Sequence, residues 1–140
     1  MQLSMRYGLA GIGGLILLSA VQWLRDQPMS LDPFGAYLAG VTPNFAAAIA
    51  ICFVLLSIWA SHRRDTNVTY MRSRFLVCAA ISGLGLIGWE LVQRTSQRFV
   101  FDIHDMLATL AGIGTSALVF FIITPNTSDK SDIEEQDAAP

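Results

Sequence analysis

Charged side chains are scarce in this sequence of 140 residues: 14 % are Asp, Glu, Lys or Arg, whereas 53 % are hydrophobic. A soluble domain usually carries about 25 % charged residues. The deficit, together with a mean hydropathy of +0.49, indicates a one-domain membrane protein. No basic stripe is interleaved with aromatic residues, so the sequence gives no support for nucleic acid as a partner.

Cysteine is scarce as well, since the only two are Cys52 and Cys78. Both lie inside long apolar stretches, and neither belongs to a CxxC or Cys/His pattern typical of a metal site. We therefore expect two buried thiols that pack as small apolar groups, with no cofactor or metal. The motifs of serine hydrolases, zinc peptidases and phosphate-binding glycine loops are also missing, so no catalytic residue is assigned.

Long apolar runs are abundant, and they predict an all-α bundle of membrane-spanning helices. The predicted spans lie at about 8–24, 44–61, 75–93 and 105–124. The first run has an alternative as a cleaved signal peptide, because it follows the short basic stretch 1–6. It is longer than the roughly 7–15 apolar residues of a signal sequence, which favours a span.

The segments between the spans are rich in helix-breaking and basic residues. Residues 25–43 contain three prolines and two glycines and are predicted to form a loop, with 34–38 as either a short interfacial helix or plain loop. Pro43 suits the first turn of the second helix. Residues 62–74 are predicted to form a basic loop before the third span. The acidic segment 126–140 lacks aromatics, which predicts a disordered tail after a domain at 1–125.

Basic residues also predict the orientation, because they are enriched in cytoplasmic loops. With the N-terminus inside, the cytoplasmic segments hold six of them and the outer segments three: Arg6, Arg63, Arg64, Arg72, Arg74 and Lys130 against Arg25, Arg94 and Arg98. This predicts a multi-pass protein of the cell inner (cytoplasmic) membrane with both termini cytoplasmic. The segments 25–43 and 94–104 would then share the outer face.

Charge concentrates between the third and fourth spans, where Glu90 is the residue hardest to explain. A carboxylate near the end of an apolar helix needs a partner, because burial of a charge in a membrane is costly. Arg94, one helical turn further on, would make a purely structural pair with Glu90. Alternatively, Glu90 faces the bundle and forms a site with residues of the fourth helix.

Asp102, His104 and Asp105 open the fourth span. Asp102 suits the N-cap and Asp105 the first turn, where the helix dipole favours acids. With Glu90 they include the donor types that bind zinc, but residues two apart on a helix face different ways, so no metal site is predicted. Small residues four apart, such as Ala46 with Ala50 and Gly112 with Ser116, indicate close helix packing.

The stretch 90–112 resembles the signature of the VanZ-like family of bacterial membrane proteins. The matching residues are Glu90 and Gln93 at the end of one span, Arg98 in the loop, Asp102 and Asp105 opening the next span, and the small residues Ala108 and Gly112. The sequence departs from the family pattern at three points. Thr109 stands where the family usually has asparagine, and the loop lacks the usual Pro-Gly. Arg98 is also one residue further from Asp102 than the spacing common in the family. The resemblance implies a polytopic cell-envelope protein, and the family's namesake is associated with resistance to the glycopeptide teicoplanin.

Two functions follow as expectations. In the first, a polar cluster of Glu90, Gln93, Arg98, Asp102 and Asp105 binds or acts on an envelope component, such as a lipid-linked cell-wall intermediate. In the second, the bundle is a non-enzymatic subunit, a homo- or hetero-oligomer partner that packs in the bilayer against a larger transporter or synthase. An ion-coupled carrier is disfavoured because the four spans show no internal repeat.

Overall fold

Four helices make up the part of the chain that the structure describes. A computed structural model describes residues 2–27, 32–62, 68–94 and 103–124, and its helices are α1 (Leu3–Arg25), α2 (Pro33–His62), α3 (Val68–Arg94) and α4 (Ile103–Ile123). All four are long and apolar enough to cross a membrane. The predicted all-α bundle of a multi-pass membrane protein is confirmed. The predicted acidic tail, 126–140, lies outside the described residues.

The start of α2 corrects the prediction of a loop over 25–43, because its second part, from Pro33 onward, is helical. The Asp32 carboxylate accepts a hydrogen bond from the Gly35 backbone N–H at 3.3 Å, as an N-cap does. Pro33 is then the first helical residue, where a missing N–H costs nothing. The prediction that Pro43 lies in the first turn of the second helix is wrong, because Pro33 occupies that position.

Pro43 lies inside α2, about 15 Å from its first residue at 1.5 Å per residue. Because proline has no N–H, the carbonyl of Ala39 loses its usual intrahelical donor. Proline is tolerated in membrane helices where neighbouring groups compensate for the lost bond. In the same turn of the helix, the Thr42 hydroxyl donates a hydrogen bond to the Leu38 carbonyl at 2.6 Å.

The first turns of α3 correct the prediction of a basic loop up to residue 74, because the helix begins at Val68. Two arginines are accommodated there by aromatic rings. The Arg74 guanidinium lies 4.4 Å from the ring centre of Trp59 and 4.6 Å from that of Tyr70. Arg72 lies 5.8 Å from the ring centre of Phe121 on α4. Such cation–π contacts let a basic side chain belong to a helix at a membrane surface.

The apolar core is an aromatic stack that joins all four helices. The ring of Phe120 lies 4.5 Å from Phe75 and 5.9 Å from Tyr7, and Tyr7 lies 6.2 Å from Phe53. The two cysteines are buried free thiols in this core, as expected. Since Tyr7 is part of the core, α1 belongs to the folded bundle.

Close helix packing depends on small residues. A Cβ added to Gly14 of α1 would lie 2.8 Å from the backbone nitrogen of Ala50 on α2. One added to Gly112 of α4 would lie 2.5 Å from the Phe45 carbonyl oxygen and 2.8 Å from the Ala48 Cβ. These approaches bring α1 and α4 against α2, as expected where apolar burial alone does not drive association.

Polar contacts define the two ends of the bundle. At one end, Arg6 donates to the Ile123 carbonyl at 3.1 Å, and the hydroxyls of Tyr7 and Thr124 are 2.8 Å apart. The start of α1 thus meets the end of α4. At the other end, α2 contacts the end of α3 and the start of α4, and Glu90 lies there.

Candidate functional site

Glu90 is the centre of the site because it is an acid buried inside an apolar bundle. It lies four residues before the last residue of α3, about 6 Å from the helix end. Its side chain is 2 % exposed. The Asn44 side-chain amide, on α2, donates a hydrogen bond to Glu90 Oε1 at 3.0 Å. The carboxylate therefore points into the bundle, towards α2.

The second carboxylate oxygen has a different environment. Glu90 Oε2 is buried and has no hydrogen-bond partner within the described part of the chain. A buried polar atom without a partner costs about 1–3 kcal/mol. Among the described residues, the site therefore leaves one acceptor atom inside the bundle without a donor.

One interpretation of Glu90 depends on Arg94, and the other on burial of Glu90 in the bundle. The side chain of Arg94 lies outside the described part, so the structural pair with Glu90 stays a prediction. Glu90 faces the bundle, since its side chain is buried, and its membership of a functional site stays a prediction. The partner seen is Asn44 of α2, whereas a partner on the fourth helix had been expected. A signal for Asn44 existed, because an amide in an apolar span is costly unless it is hydrogen-bonded.

The length of α3 places Glu90 near one surface of the membrane. The uncharged residues 75–89 alone would measure about 22 Å, short of a hydrocarbon core of about 30 Å. The observed α3 has 27 residues and measures about 40 Å. The helix is thus long enough to bring Glu90 near the membrane surface, and packing against α2 shields the side chain.

The remaining predicted residues are only partly described. Gln93 belongs to the last turn of α3, but its side chain lies outside the described part. Arg98 and Asp102 are outside the described residues. Asp105 is in the first turn of α4, as predicted, and is half-buried. Its carbonyl oxygen accepts a hydrogen bond from the buried Thr109 hydroxyl at 3.0 Å.

A second polar contact lies at the same end of the bundle. The Tyr37 hydroxyl on α2 is 3.0 Å from Nδ1 of His104 on α4, and the rings meet edge to face with centres 5.3 Å apart. Both side chains are exposed. The sequence predicts either a short interfacial helix or a plain loop for 34–38, and neither alternative indicates this partner of Tyr37. The pair ties the start of α2 to the start of α4.

The chemistry of these groups is that of hydrogen bonding. Among the described residues, no group of three or more His, Cys, Asp or Glu is placed to hold a metal ion. Glu90 supplies a carboxylate and Asn44 an amide that orients it. Such a pair can bind a donor such as a hydroxyl, an amide or a cationic group.

Comparison of the chain with protein-family models, with curated proteins and with solved structures gives no match.

Proposed function

We propose that this chain is a VanZ-like small integral membrane protein of the bacterial cell envelope, whose Glu90 end binds or acts on a polar envelope component. The observation that supports the proposal is the buried carboxylate of Glu90, held by Asn44 and with no partner for Oε2 among the described residues. A structural acid would be expected to have both oxygens satisfied. An acceptor left over inside an apolar bundle fits a ligand-binding role.

In this proposal each residue of the cluster has a role set by its chemistry. Glu90 accepts a hydrogen bond from the ligand, and Asn44 keeps its carboxylate in place. Arg98 binds a phosphate or carboxylate of the ligand, with help from the positive end of α4. Asp102 and Asp105 hold that arginine or act as a base, and Gln93 adds a hydrogen bond. A lipid-linked cell-wall intermediate has the required phosphates and sugar hydroxyls beside an apolar tail.

The proposed location is the inner membrane, with both termini in the cytoplasm and the Glu90 end outside. The support for this orientation is the excess of basic residues in the segments at the opposite end, which follows the positive-inside rule. An outward site would meet envelope precursors after they have crossed the membrane.

The test uses a deletion strain complemented with single variants, scored for sensitivity to compounds that act on the cell wall. Glu90→Gln keeps an acceptor for Asn44 but removes the charge. Asp105→Asn removes the charge of an acid on α4. Both are expected to lose complementation while the protein reaches wild-type levels in the membrane. Asp26→Asn is the matched control, because Asp26 is an exposed acid at the same end. Full complementation by the two cluster variants would rule out the site.

A second candidate function, as a non-enzymatic subunit of a larger transporter or synthase, is favoured by two glycines of α3. A Cβ added to Gly85 or to Gly88 would meet no atom within 4 Å. Glycines three apart lie on neighbouring positions of one helix face, and such faces let another helix approach closely. Under this function Gly85→Leu, rather than Glu90→Gln, would abolish complementation and release the chain from its complex.

A further inference from the structure

A groove lies between α1 and α4, at the end of the bundle opposite Glu90. It has a volume of about 530 Å³, is open to the outside, and is lined by Arg6, Leu9, Ala10, Ile122 and Ile123. Four of these five residues are apolar. The groove thus combines one basic side chain, Arg6, with apolar side chains of the two helices.

Arg6 is fixed at the mouth of this groove. It lies in the first turn of α1, and its Nη1 donates to the carbonyl of Ile123, the last residue of α4, at 3.1 Å. One role of this bond is structural, because a helix C-terminus attracts a cation and α4 has no basic residue in its own last turn. A guanidinium has five N–H donors, however, so one such bond leaves donors for an anion.

The groove lies at the ends of two helices. Arg6 is near the ends of both helices that form the groove, where the polar part of a lipid is found. A second basic residue, Arg72, lies over the ring of Phe121, which precedes the groove residue Ile122 on α4. Basic pockets between membrane helices are known to bind the headgroups of anionic lipids.

We propose that this groove is a binding site for one phospholipid with an anionic headgroup. The phosphate binds to Arg6, and an acyl chain lies against Leu9, Ala10 and Ile122. The groove and the lipid match in charge and polarity. The guanidinium of Arg6 lies next to apolar side chains, just as the phosphate of a phospholipid lies next to its hydrocarbon chains. The proposal does not depend on the function proposed for the Glu90 end.

The experiment is native mass spectrometry of the whole purified chain with phosphatidylglycerol or phosphatidylcholine added at equal concentration. The wild-type chain is expected to retain one phosphatidylglycerol with about fivefold preference, the factor expected for one basic residue near an anionic headgroup. Arg6→Gln is expected to lose this preference, and Arg6→Lys to keep it. Arg25→Gln, which removes an exposed arginine at the other end of α1, is expected to keep it too.

A second pair of variants tests the apolar wall without touching the arginine. Leu9 and Ile12 are equally exposed, at 51 % each, and only Leu9 lines the groove. Leu9→Trp fills the groove and is expected to lower binding of both lipids, whereas Ile12→Trp is expected to leave it unchanged. An unaltered preference in Arg6→Gln, or equal losses in Arg6→Gln and Arg25→Gln, would overturn the proposal. If Arg6→Gln fails to fold, unchanged binding in Leu9→Trp would overturn it.

Discussion

Asn44 holds Glu90 by a hydrogen bond of 3.0 Å that joins the middle of α2 to the end of α3. The asparagine follows Pro43, at the point where α2 loses one of its backbone hydrogen bonds. The bond crosses between two helices of the bundle. Among the described residues, it is the hydrogen bond that orients the Glu90 carboxylate.

The first prediction concerns the strength of this link. Asn44→Ala leaves the Glu90 carboxylate buried without its donor and is expected to lower the free energy of unfolding by about 1–3 kcal/mol. In a Glu90→Ala background the same change is expected to cost less. The coupling in this double-mutant cycle should be about 0.5–2 kcal/mol, the range seen for hydrogen bonds between membrane helices. Unfolding in mixed detergent micelles measures it, and additive effects of the two changes would show that the bond is energetically irrelevant.

The second prediction concerns the contact between α4 and α2. Gly112→Ala places a methyl group against the Phe45 carbonyl and the Ala48 side chain, so α4 must move away from α2. Overpacking of this kind is expected to lower the unfolding free energy by about 1–3 kcal/mol. Gly114→Ala is the matched control on the same helix, because its added methyl group meets no atom within 4 Å. The same unfolding assay distinguishes them, and equal stabilities of the two variants would contradict the packing.

A third prediction separates a bond between helices from one within a helix. The buried Ser82 hydroxyl of α3 donates to the Ala48 carbonyl of α2 at 3.0 Å. The buried Ser116 hydroxyl of α4 donates to the Gly112 carbonyl of its own helix at 2.9 Å. Ser82→Ala is expected to cost about 0.6 kcal/mol, a typical value for a bond between membrane helices. Ser116→Ala is expected to cost less, since it removes no link between helices. The reverse order would contradict this assignment.

The four spans could be predicted because charge is excluded from hydrocarbon, and the apolar runs therefore mark the helices. Their ends could not be predicted as well. Pro33 and Pro43 both fit the first turn of a helix by local rules, and the Asp32 cap that favours Pro33 is a weak signal in a proline-rich segment. Arg72 and Arg74 were assigned to a loop because they are charged, although aromatic rings accommodate them in α3.

The candidate site could be predicted only in part, because the sequence marks Glu90 but does not show how the helices pack around it. Glu90 stands out in the sequence because an acid at the end of an apolar span is costly. Its partner depends on which face of α2 meets α3. Asn44 is 46 residues away in the chain, so no local pattern joins the two.

The fourth prediction concerns the placement of the two ends of the bundle relative to the membrane. Cysteines are introduced one at a time between the spans and in the tail, as Thr66→Cys, Ser96→Cys and Ser128→Cys. A membrane-impermeant maleimide is expected to label Ser96→Cys in intact cells and the other two only after permeabilisation, because four spans place position 96 opposite positions 66 and 128.

The native chain is its own control in this labelling experiment. Cys52 and Cys78 are buried, at 0 % and 2 % exposure, so the unmodified protein should not react before it is unfolded. Labelling of positions 66 and 96 from the same side would contradict the four-span fold. Labelling of 66 and 128 in intact cells, with 96 protected, would keep the fold and reverse the orientation. The Glu90 end would then face the cytoplasm, and a ligand of the outer envelope would be excluded.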